Sequence, residues 1–237
     1  LAKELNCRII WFGNFGWDDI YSPFGSAFDK FRSLYHQQYS SGDLIIRCPF
    51  SLGMNWGLPE REIGITCSKI RELPYYFLKS LKLSKRPIVM IAFGGLGYSL
   101  DINAFSRWSD YLFVVPKSLL IDSSGKLETL KDKDNILLLP DNVRMLDALV
   151  HCSRIITKPG YSTFCESIGH SLGVHAVRRH DFIESEILID GLKKYTKYRI
   201  LDKNDLIENN WQLDKELFSN QASKLKIKFD GAFKAAS

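Results

Sequence analysis

Residues 88–97 read Ile88-Val89-Met90-Ile91-Ala92-Phe93-Gly94-Gly95-Leu96-Gly97. An unbroken apolar run without polar alternation is the pattern of a strand covered on both faces, as strands of a parallel sheet are. The glycines that follow permit backbone conformations closed to other residues. They also remove the side chains that would keep an anion away from the amide hydrogens. The run is neither a GxGxxG dinucleotide fingerprint nor a Walker A loop. Taken alone, Gly94, Gly95, Leu96 and Gly97 suit a plain tight turn as well as a ligand loop.

Outward from this strand the pattern repeats. Apolar runs at 111–115, 135–139, 154–157, 173–177 and 198–201 predict strands. Helices are expected at 100–109, 143–151, 163–170, 181–194 and 206–218, with a further one at 222–227, and residues 122–133 form a polar loop. Alternating strands and helices with short connections predict an α/β fold, a doubly wound, mostly parallel, Rossmann-like sheet. Upstream lie expected strands at 7–12, 43–48 and 62–67 and helices at 27–39 and 73–83, the latter with Pro74 in its first turn. A boundary near 68–83 divides the chain into 1–75, the remainder of an N-terminal α/β domain, and 76–237, a C-terminal domain. The chain opens at Leu1, already inside an element, so an N-terminally truncated fragment is expected.

Composition bounds the function. The chain has 237 residues, 45% hydrophobic and 25% charged, with a net charge of +5. That suits a globular protein of one large or two small domains. The charge excess is spread along the chain; it favours a phosphorylated small molecule and gives no case for nucleic acid. Five cysteines, at 7, 48, 67, 152 and 165, show no metal or CxxC spacing. They read as free thiols in a reducing, cytoplasmic compartment. No apolar run approaches the roughly 20 residues of a transmembrane helix, and no signal peptide is visible. A peripheral membrane contact is left open. No metal set and no nucleophile triad is evident, and no catalytic residue is assigned.

In doubly wound sheets ligands lie beyond the carboxyl ends of the strands. After the 154–157 strand comes Lys158-Pro159-Gly160-Tyr161-Ser162-Thr163-Phe164-Cys165-Glu166. Gly160 provides a compact turn, and Ser162 or Thr163 is expected to cap the next helix. The free amides of its first turn then make an anion site aided by the helix dipole. Lys158 adds positive charge. Glu166, three residues after Thr163, can accept both hydroxyl hydrogens of a ribose. The plain alternative is a capping box of Ser162 or Thr163 with Glu166. After the 173–177 strand, Arg179 can hold a phosphate or carboxylate. Glu184 can bind sugar hydroxyls or position that arginine, and Asp181 equally suits the N-cap of the following helix. After the first strand, Asn14, Trp17 and Asp18 are candidate substrate contacts, Trp17 by stacking on a sugar ring and Asp18 by accepting its hydroxyls. A hydrophobic plug is the alternative for that segment.

These motifs also carry a resemblance. Lys158-Pro159-Gly160-Tyr161-Ser162-Thr163 with Glu166 resembles the Lys-x-Gly-Tyr-Gly-Thr-x-x-Glu signature of MurG-like two-domain glycosyltransferases of the GT-B type. The resemblance is to the group containing the N-terminal glycosyltransferase-like region of L-arabinokinases. Asn14-Phe15-Gly16-Trp17-Asp18-Asp19-Ile20-Tyr21 is similar to their Asn-Phe-x-Trp-Asp-x-Ile-Tyr. Phe93-Gly94-Gly95 is similar to their Phe-Gly-Gly, and Arg179-x-x-Phe182-x-Glu184 to their Arg-x-x-Phe-x-Glu. The matches run in order over residues 8–195. The resemblance implies a GT-B C-terminal domain preceded by the end of an N-terminal domain. It implies a nucleoside diphosphate-sugar, such as a UDP-sugar, as donor substrate, with no further cofactor and an unknown acceptor. Gly94 and Gly95 would lie on the diphosphate side, Gly160 and Thr163 against phosphate, and Glu166 on ribose. Ser162 stands where relatives have Gly, Arg154 near a common Asp, and Arg178 in place of a Pro. These departures keep two other expectations in view: a sugar-nucleotide-binding module without turnover, and a degenerate structural homologue.

Overall fold

The computed structural model describes residues 2–94, 100–121, 133–219 and 227–237. Among these, the strands form two sheets in which every strand pair is parallel. The smaller has the order β1-β2-β3, from Ile10–Gly13, Leu44–Arg47 and Glu60–Glu62. The larger has the order β6-β5-β4-β7-β8-β9. Its strands are β4 (Ile88–Ala92), β5 (Leu112–Pro116), β6 (Ile136–Leu139), β7 (Arg154–Thr157), β8 (Gly173–Val177) and β9 (Tyr198–Leu201). The chain steps outward from β4 to β6, recrosses to β7 and steps outward the other way. This is the doubly wound arrangement, with its switch point between β4 and β7.

Both faces of the large sheet are covered, as the apolar strand runs require. Successive residues alternate between two cores. Met90, Val114, Ile155 and Val174 face four helices: α3 (Tyr75–Leu83), α4 (Met145–Leu149), α5 (Tyr161–Gly169) and α6 (Glu184–Tyr195), which contribute Phe77, Leu149, Phe164 and Leu188. Val89, Ile91, Phe113 and Ile156 face Phe105, Trp108, Trp211 and Leu213. The small sheet is flanked by α1 (Trp17–Tyr21) and α2 (Asp29–Tyr39). No helix of the described residues is long and apolar enough to cross a membrane.

Several expected elements differ. The strand expected at 62–67 is Glu60–Glu62; beyond it Ile65 donates its N–H to Lys228 O at 2.9 Å, so the returning C-terminal segment takes those hydrogen bonds. The helix expected at 100–109 is present as a 3-10 helix over Ile102–Trp108, and Pro74 is the N-cap of α3 and lies outside its first turn. The helix expected at 206–218 shrinks to α7 (Lys203–Ile207). Arg154 Nη1 donates to Leu213 O at 3.0 Å, and Arg199 Nη2 donates to Glu216 O. With those carbonyls taken, Trp211 packs fully buried under the sheet on irregular chain. This is the local role of Arg154. The helix expected at 222–227 lies outside the described residues, save Ile227, and α8 (Gly231–Ala236) was not expected.

The tail seam is tight. Gly231 N donates to Ile65 O at 3.3 Å, and Gly64 N to Asp230 Oδ1 at 3.1 Å. A Cβ on Gly64 would run into Lys228 O, and one on Gly231 into Gly64 O. Gly64→Val is therefore expected to cost about 1–3 kcal/mol by overpacking and to speed limited proteolysis within 227–237. Unchanged stability and cleavage would contradict this packing.

His175 on β8 is wholly buried, between Arg154 and Arg199 of the neighbouring strands. Burial, reinforced by those two cations, pushes its pKa down to about 3. The unfolded chain, with an ordinary value near 6.5, binds more protons between those limits. Stability is thus full above about pH 6.5 and falls as pH drops toward 3. Between pH 7 and 5 this residue should cost up to about 2 kcal/mol. His175→Gln should flatten the pH dependence measured by urea unfolding; an unaltered slope would remove His175 as its source.

Candidate ligand site at the sheet switch point

β4 and β7 pair in parallel register, Val89 with Arg154 through Ala92 with Thr157. Their carboxyl ends therefore finish side by side. Gly94 follows β4 with φ of 61°, a left-handed conformation suited to glycine. A Cβ placed there would lie 3.7 Å from Lys158 Cε and 3.9 Å from Lys158 Nζ. The two corners, far apart in sequence, thus meet at the lysine. Gly95, Leu96 and Gly97 lie outside the described residues.

After Lys158 and Pro159 comes Gly160, which is extended and is the N-cap of α5. The expected capping by Ser162 or Thr163 is corrected: no side chain caps this helix, and those residues lie in its first turn. The helix starts earlier because the Tyr161 ring enters the seam between the two sheets. There it packs against Ile46, Cys48 and Ile63 on one side and the larger core on the other. The capping-box alternative falls with the cap. Phe164 N is the first amide to reach back, to Gly160 O at 3.0 Å. The amides of Tyr161, Ser162 and Thr163 have no acceptor among the described residues, as expected at a helix start.

Lys158 is half-buried, and its Nζ has no ion pair or hydrogen bond among the described residues. Burial and the nearby Arg179 lower its pKa, while Glu184 opposes them. Arg179 lies over the Phe182 ring at 4.9 Å and reaches Asp181 at 3.4 Å. The N-cap expected of Asp181 is also corrected: α6 begins at Glu184, and the Asp181 carboxylate turns to Arg179, which lowers its pKa.

Glu184 is buried and accepts a hydrogen bond from Asn14 Nδ2 at 2.6 Å, across the seam between the sheets. Burial raises its pKa; the Asn14 bond, Arg179 and Lys158 pull the other way. Glu166 stands apart from this cluster. Its neighbours are Arg144 and Asp147 at the start of α4 and Cys67 of the segment joining the sheets. Burial raises its pKa, and its carboxylate makes no hydrogen bond or ion pair among the described residues. The structure thus gathers Gly94, Lys158, Arg179 and Glu184 with Asn14, and places Glu166 beside Arg144. Arg144 was legible in principle, because it follows the carboxyl end of β6.

The N-terminal candidates divide. Asn14 is committed to Glu184. Asp18 Oδ2 accepts from Trp56 Nε1 at 2.9 Å and pairs with His36 Nδ1 at 3.0 Å, so that oxygen is engaged within its own half. Trp17 keeps 42% of its surface exposed, beside Tyr21. A crevice of about 680 Å³ runs between Pro23-Phe24 and the Arg178–Glu186 stretch.

Gly94→Ala should cost about 1–2 kcal/mol, from the positive φ and not from crowding. Urea unfolding would read this, and a loss below about 0.3 kcal/mol would contradict the conformation.

No family model and no curated protein matches the chain. Among solved structures it is similar to Arabidopsis thaliana UGT89C1 complexed with quercetin, with a TM-score of 0.62 and 12% identity over 89% of this chain and 56% of that one. It is similar to CalG4, the calicheamicin glycosyltransferase, with a TM-score of 0.56 and 12% identity over 94% and 62%. It is similar to TcCGT1 in complex with UDP, with a TM-score of 0.54 and 13% identity over 78% and 49%. The chain spans about half to three fifths of the length of these structures. At such identities the likeness shows the fold: this chain has the mostly parallel α/β architecture of GT-B glycosyltransferases.

Proposed function

We propose that this chain binds a nucleoside diphosphate-sugar and belongs to a glycosyltransferase of the MurG-like group that its motifs resemble. The observation that carries this reading is the meeting of Gly94 and Lys158 at the switch point, just before the first-turn amides of α5, which have no acceptor among the described residues. An anion there would face three amide hydrogens, the positive end of a helix dipole, Lys158 and Arg179. In sugar transfer the leaving group is the nucleoside diphosphate. The same donors would stabilise its growing charge. Gly94, Lys158, Gly160, Ser162, Thr163 and Arg179 serve the diphosphate together with Gly95, Leu96 and Gly97, and Glu166 serves the ribose. Residues 1–75 belong to an acceptor-side domain, and 76–237 to the donor-side domain. Trp17 and the Pro23-Phe24 crevice border the acceptor.

A second reading, binding without turnover, is favoured by one observation. Asn14 and Asp18 both spend hydrogen-bonding capacity within the protein.

Titration calorimetry with UDP, GDP and ADP separates these readings from a scaffold that binds none of them. Lys158→Ala should weaken the preferred nucleotide by removing the nearest cation. Glu166→Ala should weaken it by about 1–3 kcal/mol, the loss of charged hydrogen bonds to the ribose. Equal affinities in wild type and both variants would refute the assignment. Turnover of the matching nucleotide-sugar would then distinguish transferase from binding module.

A further inference from the structure

Two buried polar side chains meet across the seam beside the Lys158 and Arg179 cations. Asn14 is 8% exposed and Glu184 6%, and 170 positions of sequence separate them. The Asn14 backbone is itself fixed, its carbonyl accepting from Leu52 N at 2.7 Å. The 2.6 Å bond from Asn14 Nδ2 therefore sets the direction of Glu184 Oε1. Glu184 Oε2 makes no hydrogen bond among the described residues. The nearby charges that favour the carboxylate are Lys158 and Arg179, and Arg179 is shared with Asp181.

We infer that Asn14 and Glu184 together form a charge filter at the ligand site, which admits an uncharged, hydroxyl-bearing group beyond the diphosphate and rejects a further anion there. This rests on the reading of Lys158 and Arg179 as diphosphate-binding cations. Once a diphosphate takes those cations as its own counter-charges, the partner left to Glu184 among the described residues is the Asn14 amide. A third phosphate or a sugar carboxylate would then face the Glu184 carboxylate in a partly desolvated place, where repulsion is weakly screened, or force it to take up a proton, and either costs binding. Neutral sugar hydroxyls instead donate to the open carboxylate oxygen. Selection comes from an element set against the wrong ligand as much as from contacts to the right one. Asn14 is the positioning residue of this filter, because it holds Glu184 from the other sheet.

Calorimetry tests this on the whole chain, without divalent cations. The probes are UDP, GDP and ADP beside UTP, GTP and ATP, and UDP-glucose beside UDP-glucuronate. Wild type should bind the diphosphate of its preferred base more tightly than the triphosphate, and where that base is uracil the neutral sugar more tightly than the uronate. The preference should be about tenfold or more. Glu184→Gln keeps the shape and can still accept from Asn14. It should bring the ratio close to one while the diphosphate binds at least as well as before. Asn14→Ala should lower the ratio without abolishing diphosphate binding. Binding of the nucleotides with no charge preference in wild type, or an undiminished preference in Glu184→Gln, would overturn the filter alone. Failure of wild type to bind any nucleotide would overturn the diphosphate reading and the filter with it.

Discussion

The parallel pairing of β4 with β7 is the constraint on which the rest depends. Backbone hydrogen bonding from Val89–Arg154 to Ala92–Thr157 fixes where both strands end. Everything after them begins from that line: the positive φ at Gly94, the lysine beside it and the extended approach to α5. A slip of one residue would turn every side chain of β7 to the opposite face. Ile155 and Ile156, which now serve separate cores, would exchange places. Hydrophobic burial on two faces therefore holds a polar geometry at the edge.

A second set of contacts holds the two sheets together. The Tyr161 ring packs against residues of both, directly at the first turn of α5. The Asn14–Glu184 bond crosses the seam nearby, and Phe15 meets Phe182 edge-on with centroids 6.3 Å apart. The C-terminal segment returns to hydrogen-bond with Gly64 and Ile65. The amides facing the proposed anion thus belong to a helix whose first residue is also a packing element between sheets. Motion of one sheet against the other would be felt at those amides.

Much of the large sheet was legible because its information is local. The strands at 154–157, 173–177 and 198–201 have the expected bounds, being short apolar runs closed by turn residues. The errors share one cause, partners distant in sequence. Ile65 looked like strand, but its N–H is taken by Lys228. Residues 209–218 looked helical, but Arg154 and Arg199 take their carbonyls. Ser162 and Thr163 are good caps by local chemistry, yet the docking of Tyr161 starts the helix before them. Lys158 and Arg179 were found from their places after strands. Their proximity to Glu184, and its bond to Asn14, depend on tertiary packing that no local pattern records.

Amide chemical shifts followed by NMR during a titration with inorganic pyrophosphate, and again with UDP, test the shared anion site most directly. If the two corners face one ligand, the amides of Gly94, Tyr161, Ser162 and Thr163 will move together, along one binding curve, in both titrations. Shifts confined to one corner, or centred on residues away from the β4–β7 switch point, would contradict the convergence on which the proposed function rests.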